Sequence, residues 1–272
     1  ILYGGLRNGR MLAVDYGQAK LKWSFPGEGP CQGSPLIQGG VLYYGALDRR
    51  LYALDVERGR MLWNFPTRGW IEGSPALAGG TVYFGAGDGV MYAVDAKLGV
   101  ERWQARVDGP IPGTPSLRGK RLFIGTQAGS FYALDAQSGA TQWVYKAGAA
   151  IGGGSCVLSN RVCFGDARGL VHGVDVESGK AVWPAPCQVG GPVTASPIYV
   201  GGAFYGGTAD GACYWAVDAE EGVLGWSKPM VEGGDLHRPA LFANGRLVFA
   251  SRMLADANKT SQGAVVVLAE DN

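Results

Sequence analysis

The sequence has few charged residues, a net charge near zero and no long apolar run. Charged residues are 17% of its 272 residues, and 24 Lys and Arg nearly balance 23 Asp and Glu. Without a basic excess the chain has no electrostatic field to hold a phosphate backbone, so DNA and RNA are poor partners. Its longest apolar run, 264–269, is far below the roughly 18 residues that a membrane-spanning helix needs. We therefore expect neither nucleic acid binding nor direct membrane insertion.

Histidine and adjacent cysteines are scarce as well. The two histidines, His172 and His237, are too far apart in sequence to form a metal motif, so we predict no metal site. The five cysteines are all separated from one another. Cys156 and Cys163 would lie directly opposite each other across a two-residue turn. Such a pair is either a cross-strand disulfide or two reduced cysteines packed in the core.

What the sequence has in abundance is glycine and repetition. Its 46 glycines and lack of long helical periodicity predict many turns and strands. An eleven-residue segment ending in tryptophan recurs along the whole chain, and the first five of these tryptophans are forty residues apart, with a step of forty-three to the sixth. The six tryptophans are Trp23, Trp63, Trp103, Trp143, Trp183 and Trp226. A period near forty is typical of units of four short strands.

One unit, 73–103, shows the pattern of such a repeat. A short strand leads to the turn Gly79-Gly80, a second strand returns, and two further strands follow, the last ending at Trp103. A small four-stranded antiparallel sheet cannot bury both faces alone, so copies must stack around an axis. The sequence therefore predicts an all-β fold, a β-propeller of four-stranded antiparallel blades.

The repeated segment also has a specific resemblance. Its pattern, A-x-D-x-x-x-G-x-x-x-W with Ser-Pro opening the next unit, resembles the tryptophan-docking repeat of the pyrroloquinoline-quinone-like (PQQ-like) β-propeller family, as at 133–143. The match covers essentially the whole chain, although Ala19 replaces the glycine of the first docking turn, which we expect to be looser. The resemblance implies that aspartate, glycine and tryptophan are structural.

That family includes two kinds of protein. Quinoprotein dehydrogenases are larger, bind PQQ with a metal and carry two adjacent cysteines beside it. BamB-like propellers of outer-membrane assembly and sensor regions of bacterial kinases are binding modules without a cofactor. Because the chain is short and lacks adjacent cysteines, it is closer in type to the second group. We therefore expect no cofactor and no catalytic residue.

The unit count favours seven blades. Five complete units are flanked by an N-terminal piece with the second to fourth strands and a C-terminal piece with the first three; eight blades are the alternative. We expect residues 1–272 to form a single propeller domain. Because the chain begins within a strand of the repeat, we also expect it to be a processed or excised part of a longer protein.

Binding residues are predicted where the repeat is broken. At the segment entering each blade the last unit has Asp235, His237 and Arg238, where other units have an apolar residue, glycine and Ser or Thr. The same unit has a long excursion at 251–263. Trp70, beside Arg68, lies outside the docking register on the same predicted face. An exposed tryptophan next to arginine is a frequent binding anchor. The alternatives are that the last unit only closes the ring and that Trp70 only covers the channel.

These observations predict a non-catalytic scaffold that presents the loops around its central channel to another protein or a peptide. One alternative is a sensor that binds a small acidic or quinone-like ligand in the channel mouth. The other is a PQQ-dependent enzyme. The family resemblance alone favours a location in the bacterial periplasm or cell envelope.

Overall fold

The computed structural model describes residues 1–209, 213–229, 234–235, 241–243, 246–253 and 263–269. None of these residues lies in an α-helix; they form short strands joined by turns and loops. The chain divides into two compact units. The first comprises Ile1–Gln127 and Leu134–Gln142, and the second comprises Ala128–Ala133 and the described residues of Trp143–Asn272.

Three sheets lie wholly within the first unit. The first sheet has β1 (Leu2–Gly5), β2 (Arg10–Asp15) and β3 (Lys20–Pro26). The second sheet has β4 (Leu36–Gln38), β5 (Val41–Ala46), β6 (Arg50–Asp55) and β7 (Met61–Pro66). The third sheet has β8 (Ala76–Ala78), β9 (Thr81–Gly85), β10 (Val90–Asp95) and β11 (Glu101–Arg106). The strands of each sheet pair antiparallel in chain order.

A fourth sheet contributes residues to both units, and the second unit contains three more. The fourth sheet has β12 (Ser116–Arg118), β13 (Arg121–Gly125), β14 (Ser130–Asp135) and β15 (Thr141–Lys146). The fifth has β16 (Cys156–Val157), β17 (Arg161–Gly165), β18 (Leu170–Asp175) and β19 (Cys187–Gln188). The sixth has β20 (Ile198–Val200), β21 (Ala203–Gly207), β22 (Cys213–Asp218) and β23 (Leu224–Pro229). The seventh has β24 (Gly234–Asp235), β25 (Leu241–Ala243), β26 (Arg246–Met253) and β27 (Gly263–Ala269).

The predicted all-β class and sheet pattern are confirmed. The described residues form seven sheets, and their positions follow the seven predicted repeat units. The N-terminal piece forms three strands, and β25, β26 and β27 lie where the first three strands of the last unit were expected.

Two local expectations were wrong. The fourth strand of the fifth sheet does not continue through Trp183: only a single bridge joins Val174 and Ala181, and β19 begins at Cys187. Pro184 and Pro186 cannot donate ladder hydrogen bonds, so the strand is interrupted there. In the seventh sheet, residues 251–253 and 263 of the expected excursion lie in strands, and residues 254–262 lie outside the described residues. β26 runs through Met253 because its extension pairs with β24 on one side and β27 on the other.

The tryptophan-docking turns hold neighbouring sheets together within each unit. Trp63 donates its indole N–H to the carbonyl oxygen of Ala96 at 3.2 Å, and the Asp95 carboxylate accepts the N–H of Leu98 at 2.8 Å. Gly99 has a φ of +68°, and a Cβ there would lie 2.6 Å from the Trp63 ring. The turn glycine is therefore needed both for its backbone conformation and for the indole packed on it.

The docking contact recurs along the chain. Four further tryptophans donate to a backbone carbonyl oxygen in the next sheet, namely Trp23 to Val56, Trp103 to Ala136, Trp143 to Val176 and Trp183 to Ala219. The structural role predicted for these tryptophans is confirmed. In the first docking turn Ala19 adopts a φ of +51°, and Asp15 accepts only the N–H of Gln18 among described residues. This turn has fewer hydrogen bonds than the others, as expected of a looser turn.

Candidate functional site

The residues that enter the third and fourth sheets are buried and apolar, as the repeat predicts. Ile71 and Ile111 have no exposed surface. Each packs on a glycine of the preceding sheet: a Cβ at Gly45 would lie 2.1 Å from Ile71, and one at Gly85 would lie 2.2 Å from Ile111. These side chains therefore fill the space between neighbouring sheets, where only glycine leaves room for them.

Backbone hydrogen bonds fix the same entry segments to the turns of two sheets. Ile71 donates its N–H to the carbonyl oxygen of Ala46 at the end of β5, at 3.1 Å. The carbonyl oxygen of Trp70 accepts the N–H of Gly87 in the β9–β10 turn at 2.8 Å. The pattern repeats at the next entry, where Pro110 and Ile111 replace Trp70 and Ile71. This end of the sheets, called here the loop end, is therefore a rigid platform in the first unit.

Trp70 is half-buried on this platform and not fully exposed as predicted. Its indole lies on the backbone of Gly87, where a Cβ would come within 2.3 Å of the ring. The sequence could not reveal this contact because it depends on the conformation of the β9–β10 turn. The indole keeps part of its surface exposed, and its role as a binding residue stays a prediction.

Arg68 lies in the same loop and is exposed. Its backbone N–H donates to Oδ2 of Asp88 at 3.1 Å, so Arg68 and Trp70 both contact the β9–β10 turn. The structure thus brings together the two predicted residues of this loop. The Arg68 side chain lines a cavity of about 290 Å³.

The cavity, called here the arginine cavity, lies on one face of the third sheet. Its lining residues are Arg68, Val90, Tyr92, Gln104 and Arg106. Val90 pairs with Arg106 and Tyr92 pairs with Gln104 across β10 and β11. Because alternate residues of a strand share a face, this register places all four side chains on the same side of the sheet.

Asp88 forms hydrogen bonds with residues that line the arginine cavity. Its carboxylate accepts the N–H of Val90 at 3.1 Å and the hydroxyl of Tyr92 at 2.9 Å, besides the N–H of Arg68. Burial, followed by the hydrogen bond to Asp88, raises the pKa of Tyr92 well above its usual value, so this hydroxyl stays protonated. Arg106 donates from Nη1 to the carbonyl oxygen of Asp88 at 3.3 Å. The cavity therefore has two arginines beside a carboxylate that is already hydrogen-bonded within the chain.

The repeat itself contains the signal that sequence reasoning missed. At a spacing of forty, the Arg68 position is Glu28 in the unit before and Asp108 in the unit after, and the Arg106 position is Pro66 in the unit before. Two arginines coincide only in the third sheet. Tyr92, Gln104 and Arg106 were not predicted as site residues because their meeting with Arg68 depends on strand register.

The predicted site residues of the last unit are placed only in part. Asp235 lies in β24, where its backbone pairs with Arg252. His237 and Arg238 lie outside the described residues. Binding by these three residues stays a prediction.

His172 takes the position of Tyr52 and Tyr92 in the fifth sheet, as a packing substitute. Its ring stacks on Phe164 with centroids 5.1 Å apart, and Nε2 lies 3.2 Å from Oδ2 of the buried Asp166. Burial lowers the pKa of His172 and outweighs the opposing effect of the Asp166 carboxylate. We assign it a structural role.

Cys156 and Cys163 are paired directly across β16 and β17, as predicted. They form no disulfide, and burial raises the pKa of both thiols. Among the described residues no group of three or more His, Cys, Asp or Glu is arranged to bind a metal ion. The same residues include no helix that is long and apolar enough to cross a membrane.

Comparisons with known proteins agree with the fold and its repeats. The family model described as outer membrane protein assembly factor BamB matches residues 1–69, 66–187 and 146–271. A similar solved structure is that of BamB from Moraxella catarrhalis, with 18% identity, 92% of this chain and 88% of that chain covered, and a TM-score of 0.75. No curated protein matches the chain in sequence.

A second similar structure is that of the computationally designed protein Ika8. Its identity to this chain is 16%, and the TM-score is 0.76. The alignment covers 91% of this chain and 76% of the designed chain. At these identities the likeness concerns the fold alone. The predicted β-propeller is confirmed.

Proposed function

Given that the chain belongs to the family of the outer membrane protein assembly factor BamB, we propose that it is a non-catalytic scaffold whose loop end binds another protein. The observation that carries the proposal is the arginine cavity on the hydrogen-bonded platform of the first unit. A rigid surface with exposed arginine and a partly exposed tryptophan is suited to protein recognition, since these residues are enriched in interface hot spots. Arg68 and Trp70 are the proposed contacts of this surface.

The rigid frame supports binding for an energetic reason. Ordering loops on association costs free energy, and a surface that is already held by backbone hydrogen bonds avoids that cost. The links from Ile71 to Ala46 and from Gly87 to Trp70 supply this order before any partner arrives. The absence of an adjacent-cysteine element from the sequence supports a function without PQQ.

The family also motivates a proposed location. Its description names a protein that assembles outer membrane proteins. On that ground we propose that this chain lies outside the cytoplasm, in the periplasm or cell envelope, with a protein of the envelope as its partner.

Site-specific photo-crosslinking tests the scaffold proposal. One form of the chain carries a benzophenone amino acid at position 68, at the loop end, and a control form carries it at position 97, in a docking turn at the opposite end. Both are irradiated with envelope extract of the source organism. We expect position 68 to capture one protein saturably and position 97 to capture none. No saturable protein crosslink from position 68, or equal capture from both positions, would contradict the proposal.

A further inference from the structure

The arginine cavity contains two guanidinium groups, and the carboxylate beside it is already hydrogen-bonded within the chain. Within the described part of the chain the Arg68 guanidinium has no hydrogen bond or ion pair, while Arg106 makes one bond to a carbonyl oxygen. The neighbouring Asp88 already accepts hydrogen bonds from Arg68, Val90 and Tyr92. Most guanidinium N–H groups are thus available to an external acceptor. Guanidinium groups bind carboxylates through two parallel hydrogen bonds.

The equivalent place in the second sheet is already filled. There Arg50 takes the position of Val90 and donates from Nη1 to Oδ1 of Asn64 at 2.7 Å. Glu28 stands at the Arg68 position and Pro66 at the Arg106 position. In the second sheet this place is therefore taken by the hydrogen bond between Arg50 and Asn64 and has the acidic residue Glu28 at the Arg68 position. In the third sheet the same place is open and has two arginines.

The fourth sheet is also different at this place. Lys146 stands at the Arg106 position and donates to the hydroxyl of Ser130 at 2.7 Å. Asp108 stands at the Arg68 position. Of these three consecutive sheets, only the third has two arginines and no acid at these two positions.

The size and lining of the cavity indicate what it accepts. A volume of about 290 Å³ is at the lower limit for small-molecule pockets, which span roughly 300–1,000 Å³. Val90 and the ring of Tyr92 supply apolar surface beneath the arginines, and the Gln104 amide adds a donor. A short aliphatic chain ending in a carboxylate fits these features: methylene groups on the apolar surface and oxygens on the guanidinium groups.

We infer that the arginine cavity binds a glutamate or aspartate side chain from an acidic segment of the protein that the scaffold binds. The inference rests on the proposed function and adds the chemistry of the partner. Arg68 and Arg106 hold the carboxylate, Gln104 donates to it, and Asp88 positions the loop that carries Arg68. Because the arginines are exposed, their pairs with the partner select among ligands and weaken as salt increases.

The test is a binding titration with defined peptides. The probe is a fluorescent, amidated twelve-residue peptide with four glutamates spaced by glycine and serine, and its counterpart has glutamine instead. The chain is expected to bind the glutamate peptide at least about tenfold more tightly than the glutamine peptide at low salt. Replacing both arginines, Arg68→Gln with Arg106→Gln, is expected to abolish this preference. The control double variant, Arg58→Gln with Lys97→Gln at the opposite end, is expected to retain it.

A charge-reversed variant keeps the test decisive if the neutral one is poorly folded. Arg68→Glu with Arg106→Glu should lose the glutamate peptide and gain binding of a matching lysine peptide, which an unfolded chain would not do selectively. Equal binding of the glutamate and glutamine peptides, or a preference that persists in the Arg→Gln variant, would overturn the inference. Displacement of the peptide by inorganic phosphate at equal charge concentration would also overturn it, because the site would then bind free anions. If the peptides fail while position 68 still captures a protein, the inference falls and the scaffold proposal stands.

Discussion

The second and third sheets have the same frame and different charges at the loop end. In the second sheet the Tyr52 hydroxyl donates to Asp48 at 2.7 Å, and in the third Tyr92 donates to Asp88 at 2.9 Å. Each tyrosine stacks on the aromatic ring opposite it, with centroids 5.0 and 5.3 Å apart. Beside these shared contacts, Glu28 in one forty-residue repeat corresponds to Arg68 in the next repeat.

The difference shows which positions are constrained by stacking and which are available for function. The stacked rings are buried within their own sheets, and the same contacts recur in both sheets. The side chains of Glu28 and Arg68 are exposed, so they change without disturbing these buried contacts. We therefore expect substitutions at equivalent buried positions of the two sheets to change stability equally. Substitutions at the loop end should change binding unequally.

The largest expected effect is loss of a docking tryptophan, which tests whether the frames are equivalent. Trp23→Ala and Trp63→Ala each remove an indole packed on a turn glycine and a hydrogen bond to a carbonyl oxygen. Each should lower the free energy of unfolding by about 3 kcal/mol, measured by urea titration. A loss below about 1 kcal/mol in one variant alone would contradict the equivalence.

The next effect concerns a docking glycine and has a matched control. Gly99→Ala places a methyl group 2.6 Å from the Trp63 ring in a left-handed backbone conformation, so it should cost about 2 kcal/mol or more. Ala19→Gly relieves a left-handed backbone conformation at the equivalent turn. It should be neutral or stabilising in urea titration. Equal losses in the two variants would be inconsistent with the docking account.

How far the sequence predicts this frame depends on whether a contact repeats. The structural role of the turn aspartate, the turn glycine and the tryptophan follows from their recurrence along the chain, whereas the packing of Trp63 on Gly99 of the next unit is shown only by the structure. The arginine cavity does not follow, since Arg68 and Arg106 meet only through the register of Val90 with Arg106 and the hydrogen bond of Arg68 to Asp88. The burial of Trp70 depends likewise on the conformation of one turn. Single non-repeated contacts leave no periodic trace in a sequence.

A smaller effect is expected from the tyrosine hydroxyls. Tyr52→Phe and Tyr92→Phe each remove one hydrogen bond to a turn aspartate and keep the stacked ring. Each should cost about 1 kcal/mol in urea titration. Because Asp88 keeps its bonds to backbone N–H groups, Tyr92→Phe should leave the glutamate-peptide preference intact. Loss of that preference would show that the Tyr92 hydroxyl contributes to binding.

The smallest effect distinguishes the fifth sheet, where His172 replaces the tyrosine. Burial lowers the pKa of His172 below the value of the unfolded chain, so the unfolded state binds more protons as the pH falls below about 6.5. The contribution of neutral His172 is present above that pH and declines below it. Between pH 8 and pH 5.5 the melting temperature should therefore fall more for the native chain than for His172→Gln. Parallel decreases would contradict a buried neutral histidine.

The loop end is proposed to bind a protein through a carboxylate of that protein. The most direct measurement is displacement of a protein photo-crosslinked from position 28, an exposed loop-end residue, so that Arg68 and Arg106 are retained, with the glutamate peptide and its glutamine counterpart as competitors. We predict that the crosslinked band disappears as the glutamate peptide is added and persists with the glutamine peptide. A band that is insensitive to both peptides, or equally sensitive to both, would contradict the claim.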